Sequence, residues 1–351
     1  MPAFRRYAPS ARMRSRIVRA YLRTIAATGR PIVLGPFRSE LGFEVLYWIP
    51  FLKWAVEYAG IAPERCLVLS RGGMGHLYPA TNRIDLFELR TVDEVRIENA
   101  VDAEARKILK QTTVTPWDRA LVRDAVTRAY GTGERVHLLH PSWMYWLFAP
   151  VWDEHETLRH VATHAEFSPL PVPVLPDGVT LPKKYIAVRF YERFTFPFHQ
   201  QVQSLVREIM ESVTSRYPVV LLNQPLFVDD HTDLPITGPN VHVLPQATPA
   251  TNLLLQAAVL ARSEAFIGTY GGVAQWALRY KKPSLSFYTQ FNGTAMAHWT
   301  LSRVLAGQVG VPFEVGDIRA QKLWQATLGG VVAPSSSTTV IPMKEVVHAA
   351  V

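Results

Sequence analysis

Thr269-Tyr270-Gly271-Gly272 stands between an apolar run, 264–269, and an apolar-faced segment, 271–281. Bare glycines at the point where a strand hands over to a helix have a chemical use. They let ligand oxygens reach the backbone, and a helix N-terminus offers unpaired N–H groups and the positive end of its dipole. Such a turn suits an anion, phosphate above all. A tight turn without a ligand also needs glycine, so these four residues alone leave both readings open. The pattern is neither G-x-G-x-x-G nor a Walker A loop. Gln275 lies one helical turn further on, within reach of the same site.

A second cluster could supply charge. "AVRFYERFTFP" (187–197) ends an apolar run with Arg189 and Arg193 on either side of Glu192. Arginine stays charged and pairs bidentately with phosphate oxygens. A surface ion pair with Glu192 is the competing use. Asn223 ends the next apolar run, in "VVLLNQP", where it could hydrogen-bond a sugar or base, or brace a turn.

Nearer the N-terminus, "IVLGPFRSELGFEVLYWIPFLKWAVEY" (32–58) passes from a strand through a polar loop containing Gly42 into an amphipathic helix. Glu40 and Glu44 are four apart and share a face if both are helical. Either carboxylate could act as a general base, or could serve only the dipole at a helix N-terminus. "SRGGMGHLYP" (70–79) follows another strand with Arg71, three glycines, His76 and Tyr78, and reads as a mobile loop over a ligand or as a plain loop. His76, His137 and His140 lack metal-ligand spacing, and no acidic D-x-D motif occurs, so neither metal nor cofactor is expected. Cys66, the single cysteine, excludes an internal disulfide and fits a reducing cytoplasm.

The elements that must position these residues alternate along the chain. Strands are expected at 31–35, 66–70, 136–140, 185–190, 219–223, 241–244, 264–269 and 284–288. Helices are expected near 44–59, 117–130, 142–149, 199–216, 250–261, 271–281 and 295–308; 84–101 follows neither period. Strand, helix, strand at this spacing implies right-handed crossovers and parallel sheets. "SPLPVPVLPDGVTLPKK" (168–184) is too rich in proline for a helix and reads as a connector. The expected organisation is a basic arm, 1–30; an α/β domain, 31–167; the connector, 168–184; a second α/β domain, 185–318; and a tail, 319–351, packing back on the first domain. The fold class is α/β, with two tandem Rossmann-like domains facing a cleft.

Of 351 residues, 48% are hydrophobic and 19% charged, which suits large cores and excludes a mainly disordered chain. The net charge of +8 is local: Arg5, Arg6, Arg12, Arg14, Arg16, Arg19, Arg23 and Arg30 all precede the first acid, Glu40. Such an arm is either a solvated amphipathic segment or a contact for an anionic membrane surface, a nucleic acid or an acidic substrate. No apolar run reaches 18 residues, so no spanning helix is expected, and arginines interrupt any secretion signal.

These segments together resemble a glycosyltransferase of the GT-B fold. "RSELGFEVL" is similar to the heptosyltransferase-type loop, in which an acid follows a glycine at the start of the first helix; here Phe43 stands between Gly42 and Glu44. "GTYGGVAQWALRYKKPSLSFY" is similar to the donor-binding glycine turn of those enzymes and of polysaccharide-building relatives. "AVRFYERF" resembles the nucleotide-binding arginine region of fucosyltransferase-like enzymes, without their preceding histidine. The likeness spans most of 31–310; the arginine arm and the tail fall outside it. It implies a nucleotide-sugar donor, a glycan or lipid-linked acceptor, and transfer without metal and with inversion. Glu44 would be the base, with Glu40 its rival. Arg189, Arg193, Asn223, Gln275 and the 269–272 turn would hold the donor, and Gly42, Arg71, His76 and Tyr78 would lie towards the acceptor. A cytoplasmic protein peripheral to the membrane follows from the same reading. Its rivals are a non-catalytic nucleotide- or glycan-binding protein and a nucleic-acid binder acting through the arm, for which no groove-binding motif is present.

Overall fold

The computed structural model describes residues 9–106, 111–193, 195–223, 226, 231–291 and 293–332. By its contacts the chain forms two units. One runs to Ser39 and resumes over Tyr47–Ser168; the other takes Glu40–Leu46 and continues from Pro169.

The first unit is built on a parallel sheet of β1 (Ile32–Leu34), β2 (Cys66–Ser70), β3 (Asn82–Asp85) and β4 (His137–Leu139), in the order β3-β2-β1-β4. β1 is buried along its whole length because it is flanked on both sides, with Ile32 opposite Cys66 and His137. Around the sheet lie α1 (Ala11–Ala27), α3 (Ile49–Ala59), α4 (Val92–Arg106), α5 (Pro116–Tyr130), α6 (Pro141–Trp152) and α7 (Leu158–Ala162). α5 starts where Thr115 and Asp118 close a reciprocal capping box ahead of Pro116. The stretch 84–101 is the end of β3, a single 3₁₀ turn at Leu86–Glu88 and the start of α4.

The arginine-rich segment from Ala11 is not a free arm. α1 is capped by Ser10 and buries Val18, Leu22 and Ile25, spaced three and four apart, while Arg12, Arg16 and Arg23 stay exposed. Arg5 and Arg6 lie outside the described residues.

The second unit holds six parallel strands in the order β12-β11-β10-β5-β7-β9. They are β5 (Ile186–Arg189), β7 (Val219–Leu221), β9 (Val241–Val243), β10 (Ala265–Thr269), β11 (Ser284–Tyr288) and β12 (Phe313–Asp317). A two-residue antiparallel ribbon joins β6 (Tyr191–Glu192) to β8 (Thr232–Asp233). The helices are α8 (Gln200–Thr214), α9 (Asn252–Leu260), α10 (Gly272–Arg279), α11 (Gly293–Val309) and α12 (Gln321–Val332). Val188, Phe190, Ile209, Ile267 and Phe287 form its apolar core. Leu328 and Val331 of α12 join that core, so the tail up to Val332 belongs to this unit; residues 333–351 lie outside the described ones.

The Gly42-bearing part of the loop after β1 enters this unit as α2 (Leu41–Phe43), followed by a π-helical turn over Glu44–Trp48 that leads into α3. Such bulges recur at functional sites.

Candidate functional site

In the second unit the chain lays down β5, β7 and β9 in one direction. It then returns to place β10 on the other side of β5 and proceeds outward through β11 and β12. The order therefore reverses between β5 and β10. In open parallel sheets, connections leaving two such strands diverge to opposite faces and leave a crevice beyond the carboxyl ends. Arg189 closes β5 and pairs in register with Gly268; Thr269 closes β10. Two motifs about 80 residues apart in sequence thus meet at one switch point.

Thr269 is fully buried, and its hydroxyl accepts from the Tyr191 N–H at 3.0 Å and donates to the Tyr191 carbonyl at 3.1 Å. It fastens the chain after β5 to the end of β10. The Tyr270 hydroxyl donates to the Ala295 carbonyl at 3.2 Å, and its ring stacks on Phe291.

Neither Gly271 nor Gly272 has a left-handed φ; Gly271 is extended at 168°. Space, not dihedral freedom, requires them. A Cβ on Gly271 would collide with the Tyr191 hydroxyl and lie 3.5 Å from Arg193 Nη1. A Cβ on Gly272 would lie 2.6 Å from the Gly42 nitrogen and 2.9 Å from Leu41 Cβ. Gly42 in turn leaves room for the Gln275 amide oxygen. Gly42, Gln275, Gly271, Gly272 and Arg193 therefore come together. Gly271, the N-cap residue of α10, gives that helix no side-chain cap, whereas Thr115 caps α5 and His199 caps α8. The first-turn N–H groups of a helix have no partner inside it.

Arg189 pairs with Asp233. Its Nε donates to Asp233 Oδ1 at 2.8 Å, and its guanidinium lies over the Tyr191 ring, 5.4 Å from the centroid. Glu192 instead accepts the Phe198 N–H at 3.1 Å. Asn223 Nδ2 donates to the Leu234 carbonyl at 3.0 Å, which braces a connection.

Glu40 and Glu44 differ sharply. Glu40 sits at the N-cap of α2, half-buried, and its side chain makes no capping bond. Glu44 is fully buried. In this conformation Glu40 is the carboxylate that solvent reaches.

The other residues expected near the acceptor serve the chain itself. Arg71 is buried, and its Nη2 donates to the Ser39 carbonyl at 2.5 Å. Gly72 and Gly73 do adopt left-handed φ, 62° and 82°. The Asp85 carboxylate fills the cup they form, taking the Gly73 N–H at 2.7 Å as well as that of Gly72. Burial pushes the Asp85 carboxyl up to about 6 despite these donors. His76 Nδ1 meets the Gly73 carbonyl at 2.8 Å, and burial lowers its imidazole below the ordinary value. Tyr78 is buried. The reading of 70–79 as a mobile loop over a ligand therefore gives way to a packed turn closed on an internal anion.

Sequence reasoning passed over the strongest polar network. Arg38, 2% exposed, donates from Nε to Asp118 Oδ1 at 3.1 Å and from Nη2 to Asp102 Oδ2 at 2.5 Å. Gln111 accepts the Arg38 N–H at 2.9 Å and donates to the Pro36 carbonyl at 2.9 Å, while Asn99 donates to the Arg38 carbonyl at 3.1 Å. Burial would raise the Asp118 carboxyl, but His140 Nε2, 3.4 Å away, and Arg38 hold it well below the ordinary range. With Phe37 N–H bonded to the Leu69 carbonyl, the backbone is tied at each residue from Pro36 to Ser39, just ahead of Glu40. A T-x-x-D cap pattern at 115–118 is the sequence signal that could have pointed to it. Among the described residues, no group of three or more His, Cys, Asp or Glu side chains could hold a metal ion.

No protein-family model and no curated protein matches the chain. Among solved structures it is similar to an E. coli heptosyltransferase crystallised with ADP, at 13% identity and TM-score 0.40, over 84% of this chain and 98% of that one. It is also similar to a glycosyl transferase of family 9 from Veillonella parvula, at 14% identity and TM-score 0.42, over 92% and 96%. A UDP-GlcNAc 2-epimerase from Methanocaldococcus jannaschii matches at 10% identity and TM-score 0.38, over 91% and 98%.

Proposed function

We propose that this chain is a glycosyltransferase that moves a sugar from a nucleotide-sugar donor to a hydroxyl of a glycan or lipid-linked acceptor. One observation carries the reading. The switch point between β5 and β10 brings the N-terminus of α10, whose N-cap residue Gly271 supplies no side-chain cap, to the arginine-bearing segment after β5. Backbone N–H groups, a helix dipole and a guanidinium converging on one crevice suit a diphosphate.

In this reading Arg193 and the α10 N-terminus bind the donor diphosphate. Arg189, locked on Asp233, sets the field behind them. A carboxylate takes the proton of the acceptor hydroxyl as its oxygen attacks the anomeric carbon. The bond to the diphosphate breaks, and the negative charge that leaves on it is stabilised by the same cations. That arrangement needs no metal ion, and a single displacement inverts the anomeric centre. Glu40 is the first candidate base because it is reachable; Glu44 is the second and needs a movement to expose it.

A thermal-shift panel of nucleoside diphosphates and nucleotide sugars tests the binding half. A ligand at a hundred times its dissociation constant should stabilise the chain by about 2.7 kcal/mol. For the chemical half, Glu40→Gln should leave donor affinity unchanged and lower turnover by on the order of a hundredfold or more. Unchanged turnover in both Glu40→Gln and Glu44→Gln removes the carboxylate base from the mechanism.

A further inference from the structure

Helix α1 carries five arginines and no acid. With Val18, Leu22 and Ile25 turned inward, its outer half divides into two columns at helical spacing. Arg12, Arg16, Arg19 and Arg23 form one. Arg19 and Arg23 lie over the Tyr58 ring, 5.0 and 5.5 Å from its centroid, which stands that column against α3. Met13, Ile17 and Ala20 form the other, and Met13 is 46% and Ile17 39% exposed.

Beyond the apolar column lies α6. Tyr21 stacks on Trp143 at 4.3 Å, and Arg14 donates to the Trp146 carbonyl at 2.6 Å while lying over its ring. Ile17, Trp143 and Trp146, with Thr112 and Ser142, line an open recess of about 370 Å³. Asp153, at the end of α6, is the acid that couples to Arg14.

An exposed apolar column between an arginine column and two half-buried tryptophans has the chemistry of an interfacial helix. Its apolar side chains enter the acyl boundary, arginines meet phosphates, and tryptophans sit at headgroup depth. A nucleic acid would engage the arginines and leave Met13 and Ile17 without a role. We propose that α1 and the adjoining end of α6 form a docking face for an anionic lipid bilayer, with Met13 and Ile17 inserted and Arg12, Arg16 and Arg23 on the headgroups. This inference stands independently of the sugar-transfer reading, since it uses neither the β5–β10 crevice nor any turnover.

The test is co-sedimentation of the full chain with phosphatidylcholine vesicles, with and without phosphatidylglycerol, alongside retention on duplex DNA at the same salt. The parent should bind the anionic vesicles only. Replacing Arg12, Arg16 and Arg23 by alanine should weaken that binding about fivefold per arginine, on the order of a hundredfold together. M13S/I17S keeps every charge and should still weaken it by about tenfold or more. Both side chains are exposed, so its melting temperature should match the parent's. If that variant melts early, brominated phosphatidylglycerol decides the matter: it should quench parental tryptophan fluorescence, and less so in Trp146→Phe. Three vesicle results overturn the proposal. They are a parent that ignores anionic vesicles at low salt, an M13S/I17S protein that folds and binds vesicles like the parent, and brominated lipid that quenches nothing. DNA held as tightly as the vesicles, with M13S/I17S altering neither, would make the face a general polyanion site and also overturns it.

Discussion

Two glycine pairs, Gly72–Gly73 after β2 and Gly271–Gly272 after β10, share one sequence signature and have opposite physics. The first pair adopts left-handed φ and folds its N–H groups around the Asp85 carboxylate. The second pair has ordinary dihedrals and is needed because Tyr191, Leu41 and Gly42 come too close for a Cβ. One turn already contains its anion; the other opens a helix whose N-cap residue, Gly271, supplies no side-chain cap. A glycine pair at a strand end thus signals only that the backbone is either bent or crowded. The neighbours decide whether a ligand site remains.

The largest effect expected from breaking this contrast is at Asp85. Asp85→Ala leaves the N–H groups of Gly72, Gly73 and Phe87 without their acceptor. It should cost about 2–4 kcal/mol in denaturant unfolding while leaving nucleotide affinity unchanged. A change in nucleotide affinity there would mean that the first turn also serves the ligand.

A pH dependence follows from the same carboxyl. Its folded value, about 6, lies above its ordinary 3.8, so the folded chain binds this proton more tightly than the unfolded one. The stability it contributes is fully present below about pH 4 and is lost as pH rises through 6, by up to about 3 kcal/mol. Subtracting the pH–stability curve of Asp85→Asn from that of the parent isolates the term. A flat difference between pH 4 and 7 contradicts the burial argument.

At the second pair, Gly272→Val drives a side chain against backbone. It should cost about 1–3 kcal/mol of stability and, by displacing Leu41 and Gly42, reduce nucleotide affinity as well. Gly271→Ala meets only the end of Tyr191, so Tyr191→Phe in the same chain should restore most of its loss. Gly73→Ala is the smallest change. At φ 82° it should cost about 1–2 kcal/mol with no effect on nucleotide binding.

Much of the fold was legible because most of its strands are continuous apolar runs, as in "CLVLS" and "AFIGT". β3 escaped notice because it edges the sheet: Asn82 and Arg83 are exposed, and only Ile84 and Asp85 turn inward. α1 was hidden by its arginines, although Val18, Leu22 and Ile25 already carried the helical period. At the candidate site, the glycine turn and the arginines stood out by residue type. Their partners did not, because Gly272 meets Leu41 and Arg189 meets Asp233 only through the topology. Arg38 was passed over because an arginine among loop residues reads as solvated. Its burial depends on Asp102, Gln111 and Asp118, far along the chain.

Amide hydrogen exchange of the full chain, with and without a saturating nucleoside diphosphate, measures both glycine turns at once. The account predicts slowed exchange in the peptides covering Gly271–Gln275 and Arg189–Arg193, and none in those covering Gly72–His76. No protection with any nucleoside diphosphate or nucleotide sugar, or protection at Gly72–His76 instead, would contradict it.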